Sequence, residues 1–172
     1  AEKIGWRTLE NIIRDKRPDV IAAGEPQAFF FHETLKVFTL AKKINPDIIT
    51  IAGGTFFSSL PDYVFETNPC LDFIVKGEAE ITFSELIKAF LEKKDPALIK
   101  GIILKKDGKP FFTGERPLLK NLDDLPMPNY GLLPLGKYFW YRHPYQTYFP
   151  LNMFFYEQKK WPSVVIETSR GC

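Results

Sequence analysis

Side chains able to move protons or hold metals are few in this sequence of 172 residues. His32 and His143 are the only histidines, and Cys70 and Cys172 the only cysteines. An imidazole can ligate a metal, but neither histidine has a second ligand close by in the sequence, so neither by itself makes a site. No serine sits in a nucleophile-elbow pattern or near a histidine. The phosphate loop Gly-x-x-x-x-Gly-Lys-Ser/Thr and the Rossmann glycine fingerprint are both missing. What recurs is glycine at the end of a short apolar run: Gly24, Gly53-Gly54 and Gly77. A residue without Cβ lets the backbone turn and lets a ligand come close. The three stretches Gly24-Glu25-Pro26-Gln27, Gly53-Gly54-Thr55-Phe56 and Gly77-Glu78-Ala79-Glu80 would together offer a crevice of backbone amides with little side-chain bulk. That suits a bulky, flat or phosphate-bearing ligand better than hydrolysis by a triad. Glu78 and Glu80 can act as acid or base, accept hydrogen bonds from a ligand, or favour a helix N-terminus through its dipole. The plain alternative for the glycines is a set of tight strand-to-helix turns.

The elements that would position these residues follow from the pattern. Ile48-Ile49-Thr50-Ile51-Ala52 is short, apolar and β-branched, so it reads as a strand buried on both faces. A unit recurs around it. Pro18-Asp19 precedes residues 20–24, Pro46-Asp47 precedes 48–53, and Pro69-Cys70-Leu71-Asp72 precedes 73–77. Proline ends the preceding segment, a strand follows, and glycine closes it. Cys70 beside such a strand reads as a small buried hydrophobe. Helical periodicity fills the gaps. Residues 8–16 put Trp6, Leu9, Ile12 and Ile13 on one face; Phe31, Leu35, Phe38, Ala41 and Ile44 form a stripe; residues 60–67 make a shorter helix. Thr82-Phe83-Ser84-Glu85 has the form of a capping box opening a helix to about residue 94, with Ile81 and Leu86 as its hydrophobic staple. Alternation of this kind predicts right-handed βαβ units in a Rossmann-like (flavodoxin-like) α/β fold, a parallel sheet with helices on both faces. Ligands in such sheets bind outside the carboxyl ends of the strands.

Residues 99–105 and 109–113 flank Asp107-Gly108, a hairpin signal. Beyond it the character changes. Prolines at 117, 126, 128, 134, 144, 150 and 162 exclude long helices, and the aromatics among them exclude a solvated linker. Residues 126–162 are therefore expected to form a belt over another surface. A fresh strand at 163–168 predicts the start of a further domain. The divisions expected are 1–98 for the α/β domain, 99–125 for the hairpin and connector, 126–162 for the belt and 163–172 for the next domain.

A net charge of +2 gives no electrostatic case for nucleic acid. No apolar run approaches the roughly 20 residues that span a bilayer. Two cysteines do not make a disulfide framework, so a reducing, cytoplasmic setting is expected. The start carries no apolar signal core and no Met, so the N-terminus is expected upstream.

The order of these pieces resembles the cobalamin (B12)-binding domain of radical S-adenosylmethionine enzymes. The similar parts are the Pro-Asp and strand units, Gly53-Gly54, and residues 72–80 ahead of Thr82-Phe83-Ser84-Glu85-Leu86. Gly114-Glu115-Arg116-Pro117 and residues 122–128 resemble that family's connector, and Thr168-Ser169-Arg170-Gly171-Cys172 its lead-in to the radical domain. Tyr130-Gly131-Leu132-Leu133 and Lys137-Tyr138 are further similar to the anaerobic magnesium-protoporphyrin monomethyl ester cyclase branch. The resemblance implies cobalamin held by Gly24, Glu25, Gly53, Gly54, Thr55, Phe56, Gly77 and Glu78. It implies Cys172 as the first of three cysteine ligands to a [4Fe–4S] cluster that binds S-adenosylmethionine, in the full-length parent only. It also implies two further strands before Ala1 and packing against a radical domain after residue 172, so that this stretch alone is catalytically inert. Two departures bear on the site. Gly24-Glu25-Pro26 stands where the family has Ser-x-Leu, and Phe56 where it often has His. The alternatives are a non-catalytic flavodoxin-like binding module and a scaffold that has lost the cofactor.

Overall fold

The computed structural model describes residues 5–25 and 31–132. His143, Cys172, residues 26–30, the belt from 133 onward and the expected strand at 163–168 lie outside the described residues. The chain divides into two units, of which the first, Ile4–Lys120, holds the sheet. In the second, residues 121–132 carry two short 3₁₀ turns, Leu122–Asp124 and Tyr130–Leu132. Asn121 caps the first of these by accepting from the Asp123 amide at 3.1 Å.

Within the first unit the order is α1 (Trp6–Lys16), β1 (Val20–Glu25), α2 (Phe31–Ile44), β2 (Ile49–Gly54), α3 (Thr55–Ser59), α4 (Pro61–Thr67), β3 (Phe73–Val75), α5 (Ala79–Glu92), β4 (Ile102–Lys106) and β5 (Lys109–Phe112). The sheet runs β1-β2-β3-β4-β5. β1, β2 and β3 are parallel neighbours, as their sequence pattern predicts. The hairpin β4–β5 then adds to β3 antiparallel, which makes the sheet mixed. Its turn is built as the sequence requires, with Asp107 at φ 52° and Gly108 at φ 77°.

Alternation along the strands divides the core. Ala52 and Ile74 pack with Leu35, Phe38, Phe57, Val64 and Phe65 of α2, α3 and α4. Ile51 and Val75 face the other way and pack with Leu86 of α5 and Ile102. Helices therefore cover both faces. At the amino end of the parallel strands Thr50 is wholly buried. Its hydroxyl donates to the Cys70 carbonyl at 2.6 Å, and its amide donates to the Asp72 carboxylate at 2.8 Å. Lys42 of α2 reaches the same carboxylate at 2.7 Å. This cluster satisfies a buried hydroxyl and fixes how β2 and β3 enter the sheet.

Two local expectations need correction, the start of α5 and the buried face of α1, and one short helix is added. α5 begins at Ala79, not Thr82. Thr82 is buried within the helix and its hydroxyl points to the Lys100 carbonyl at 3.4 Å, while Glu85 is taken by Arg116. The capping-box residues are thus spent on tertiary contacts, and positive φ at Gly77 allows the earlier turn into the helix. The helix expected at 60–67 is present as α4, with Pro61 at its N1 position, and α3 is a further short helix ahead of it that Pro61 cannot continue. On α1 only Ile13 of the expected apolar face is buried; Trp6 and Ile12 are exposed.

Candidate functional site

The carboxyl ends of the parallel strands bring the glycine stretches together. Gly24 pairs in register with Gly53, and Gly53 in turn with Val75. A Cβ built on Gly24 meets nothing within 4 Å, and one on Gly53 meets only the Val75 carbonyl oxygen at 3.9 Å. Both glycines share the parity of Ile51, so the missing side chains belong to the face that α5 covers farther along the sheet. On β1 that face stays open, with Ala22 and Gly24 exposed. Among the described residues the result is a notch in the sheet edge, empty of side chains and floored by backbone. Gly54 ends β2 at φ 112° and ψ 168°, a region only glycine occupies without strain. α3 starts at the next residue, and the Ser58 hydroxyl donates back to the Gly54 carbonyl at 2.8 Å.

Aromatic rings stand at the same strand ends. Phe56 stacks on Phe31, the first residue of α2, with centroids 4.0 Å apart and planes 25° from parallel. The exposed His32 ring lies 3.8 Å from Phe31, and buried Phe57 meets Phe56 edge-on at 5.7 Å. The Phe31 contribution was not legible in the sequence, where it read only as part of the α2 core stripe. Thr55 is exposed.

The third strand end is built differently. Gly77 turns the chain at φ 77°, and Glu78 precedes α5 as its N-cap residue without a side-chain cap bond. The Glu78 carboxylate instead accepts from the Leu119 amide at 3.1 Å. Lys76 pairs with Glu115 at 2.7 Å and lies 4.4 Å above the Phe112 ring. Arg116 pairs with Glu85 and donates to the Lys100 carbonyl at 3.4 Å. Residues 114–119 thus form a strap over the start of α5, enclosing a cavity of about 60 Å³ with charges of both signs. We expect Glu78→Ala to speed exchange of the Leu119 amide by roughly tenfold with little change in overall stability, since one charge-assisted hydrogen bond is lost. Hydrogen exchange of the strap measures this; unchanged exchange would mean that the carboxylate does not hold it.

A roomier cavity of about 310 Å³ lies at the other end of the sheet, among Ile13, Arg14, Arg17, Ile44 and Ile48. It sits at the amino ends of the strands, where this architecture does not place ligands, so the notch is the stronger candidate. Among the described residues no group of three His, Cys, Asp or Glu side chains could hold a metal ion. His32 accordingly has no co-ligands there.

Comparison with known proteins gives the geometry a family. Residues 3–87 match the model of the B12 binding domain. This stretch belongs to that family. The match runs from α1 into α5, so the B12 binding domain includes the notch and the stacked rings, while the β4–β5 hairpin lies beyond it. Over all 172 residues the chain is 30% identical to an uncharacterized methyltransferase of Pyrococcus horikoshii, covering 33% of that protein. It is 30% identical over 153 residues to the anaerobic magnesium-protoporphyrin IX monomethyl ester cyclase of Rubrivivax gelatinosus, covering 83% of this chain and 25% of the cyclase. The chain therefore spans a third or less of these relatives. The radical S-adenosylmethionine methyltransferase TsrM of Kitasatospora setae, solved with cobalamin and a [4Fe–4S] cluster bound, superposes with a TM-score of 0.56 at 23% identity. The superposition covers 68% of this chain and 22% of TsrM, and it shows the shared fold.

Proposed function

We propose that this chain holds cobalamin across the carboxyl ends of β1 and β2 and is the cobalamin-binding portion of a larger radical S-adenosylmethionine enzyme. The observation that carries the reading is the notch at Gly24 and Gly53, which a Cβ at either position would enter. A flat, bulky cofactor with a nucleotide tail needs a groove of this kind, and the backbone of Gly53 and Gly54 can approach it closely. The residues present therefore fit the group. Gly24, Glu25, Gly53 and Gly54 supply backbone at the β1 and β2 ends; Thr55 and Phe56 flank it on α3. Gly77 and Glu78 border it at β3, with Glu78 also tying the strap. When bound, cobalamin supplies a cobalt centre for methyl transfer or for radical remodelling of a carbon skeleton. In the full-length protein Cys172 would be the first of three thiolates on a [4Fe–4S] cluster, leaving one iron for S-adenosylmethionine. The relatives named methyltransferase and cyclase support this assignment, and the protein's setting is proposed to be cytoplasmic. Cysteines four and seven places after Cys172 are expected; their absence would remove the radical chemistry from the proposal.

The cofactor reading is tested by titrating the full-length protein with hydroxocobalamin and following its visible spectrum. Saturable binding at one site per chain is expected. A spectrum unchanged at every protein concentration, with no cofactor retained on gel filtration, would favour a scaffold that keeps the fold alone.

A further inference from the structure

We infer that residues 114–120 are a hinged strap over the third strand end, and that cobalamin in the notch holds this strap closed. The inference rests on the proposal that the notch holds cobalamin. Strap and notch share one face of the sheet. The side chains missing at Gly24 and Gly53 belong to the face of Ile51 and Val75, which α5 covers. The strap crosses the start of that same helix, where the Glu78 carboxylate accepts from the Leu119 amide at 3.1 Å. Glu78 follows Val75, the in-register neighbour of Gly53, by one turn of chain at Gly77.

The strap is built to open. Gly114, at φ 104°, anchors one end, its carbonyl accepting from the Gly101 amide at 2.9 Å. Beyond it, among the described residues, 115–120 make no backbone–backbone hydrogen bond. Side chains hold them instead: Lys76 to Glu115 at 2.7 Å, Arg116 to Glu85, and Glu78 to the Leu119 amide. The Glu115 and Glu85 side chains are 74% and 47% exposed, and ion pairs so exposed contribute little each. Closure also carries a cost, since Arg116 Nε is buried with no partner among the described residues. Leu118 stays 70% exposed, so apolar burial offsets little of it. A segment held in this way opens while the sheet stays folded. A bulky ligand in the notch excludes water from the corner at Glu78, and a charge-assisted hydrogen bond strengthens as its surroundings dry. Occupancy of the notch therefore favours the closed strap, and by linkage the closed strap favours occupancy.

The test measures hydrogen exchange at the Leu119 amide of the full-length protein, with and without saturating hydroxocobalamin, and hydroxocobalamin affinity by equilibrium dialysis. The cofactor should slow Leu119 exchange by about tenfold. Arg116→Gln removes one ion pair of the strap, and Glu85→Gln removes the same pair from the α5 side, away from the notch. Each should speed Leu119 exchange in the empty protein and weaken hydroxocobalamin binding by about threefold, a factor capped by the tenfold coupling. Circular dichroism checks that both variants fold. Saturable binding by the wild type with Leu119 exchange unchanged would overturn the inference and leave the cofactor proposal standing. Leu119 as protected in both folded variants as in the wild type would also overturn it, since the ion pair would then not hold the strap. Faster Leu119 exchange in the variants with affinity equal to wild type would show that the strap does not act on the notch. Failure of the wild type to bind hydroxocobalamin would overturn the cofactor proposal, and this inference with it.

Discussion

Gly53→Val is expected to weaken cobalamin binding by about 100-fold or more while the protein stays folded. A Cβ at this position meets only the Val75 carbonyl at 3.9 Å, an ordinary contact, so the empty protein has room for it. Valine also suits a strand, and stability should stay within about 1 kcal/mol of the wild type. The space it fills is the space assigned to the ligand. Gly54→Val gives the contrast. At φ 112° and ψ 168° that residue is in a region closed to side chains, so valine there should cost about 1–3 kcal/mol of stability as well as binding. Urea denaturation and hydroxocobalamin titration of the two variants separate the effects. A Gly53→Val protein that binds as tightly as wild type would mean that the ligand does not use the notch.

Gly101→Ala is expected to give the largest loss of stability from a single methyl group, about 2–4 kcal/mol. Gly101 has φ 86°, and a Cβ there would stand 2.9 Å from the hydroxyl oxygen of wholly buried Thr82. The backbone cannot easily retreat. The Gly101 amide donates to the Gly114 carbonyl, and its own carbonyl accepts from the Lys76 amide, both at 2.9 Å. Thr82→Ala should restore part of the loss in the double variant by removing the overlap and leave the cost of the positive φ. The pair forms a double-mutant cycle readable by urea denaturation. Strict additivity would place Thr82 away from Gly101, as it would be if it capped α5.

The contrast between those two glycines shows what local sequence could convey. The parallel strands were legible because proline, an apolar β-branched run and glycine mark each one independently of the rest of the chain. The hairpin was legible for a similar reason: Asp107-Gly108 satisfies a backbone requirement within two residues. Thr82-Phe83-Ser84-Glu85 carries an equally local signature, yet tertiary partners overrode it. Gly101 sits against Thr82, and Arg116 holds Glu85, both from segments after the helix. No reading of residues 82–85 alone could include them. The helix at 60–67 was legible, whereas the five residues of α3 have too little periodicity to stand out ahead of it.

The site divides along the same line. Gly24, Gly53 and Gly54 announce themselves by type and by place at the strand ends. The Phe31–Phe56 stack does not, because it joins the starts of two different helices and each ring alone looks like core. Glu78 was legible as a polar group at the crevice. Its bond to the Leu119 amide depends on a strap that follows the hairpin, and only the folded chain brings the two together.

Hydrogen exchange of the full-length protein with and without hydroxocobalamin tests the central claim most directly, because it reports where on the chain the ligand sits. Slower exchange is predicted in peptides spanning residues 22–25 and 53–58, the ends of β1 and β2 and the start of α3, with little change around Ile13, Arg17 and Ile48 at the opposite end of the sheet. Protection confined to that opposite end, with the glycine segments unchanged, would contradict the assignment of the notch.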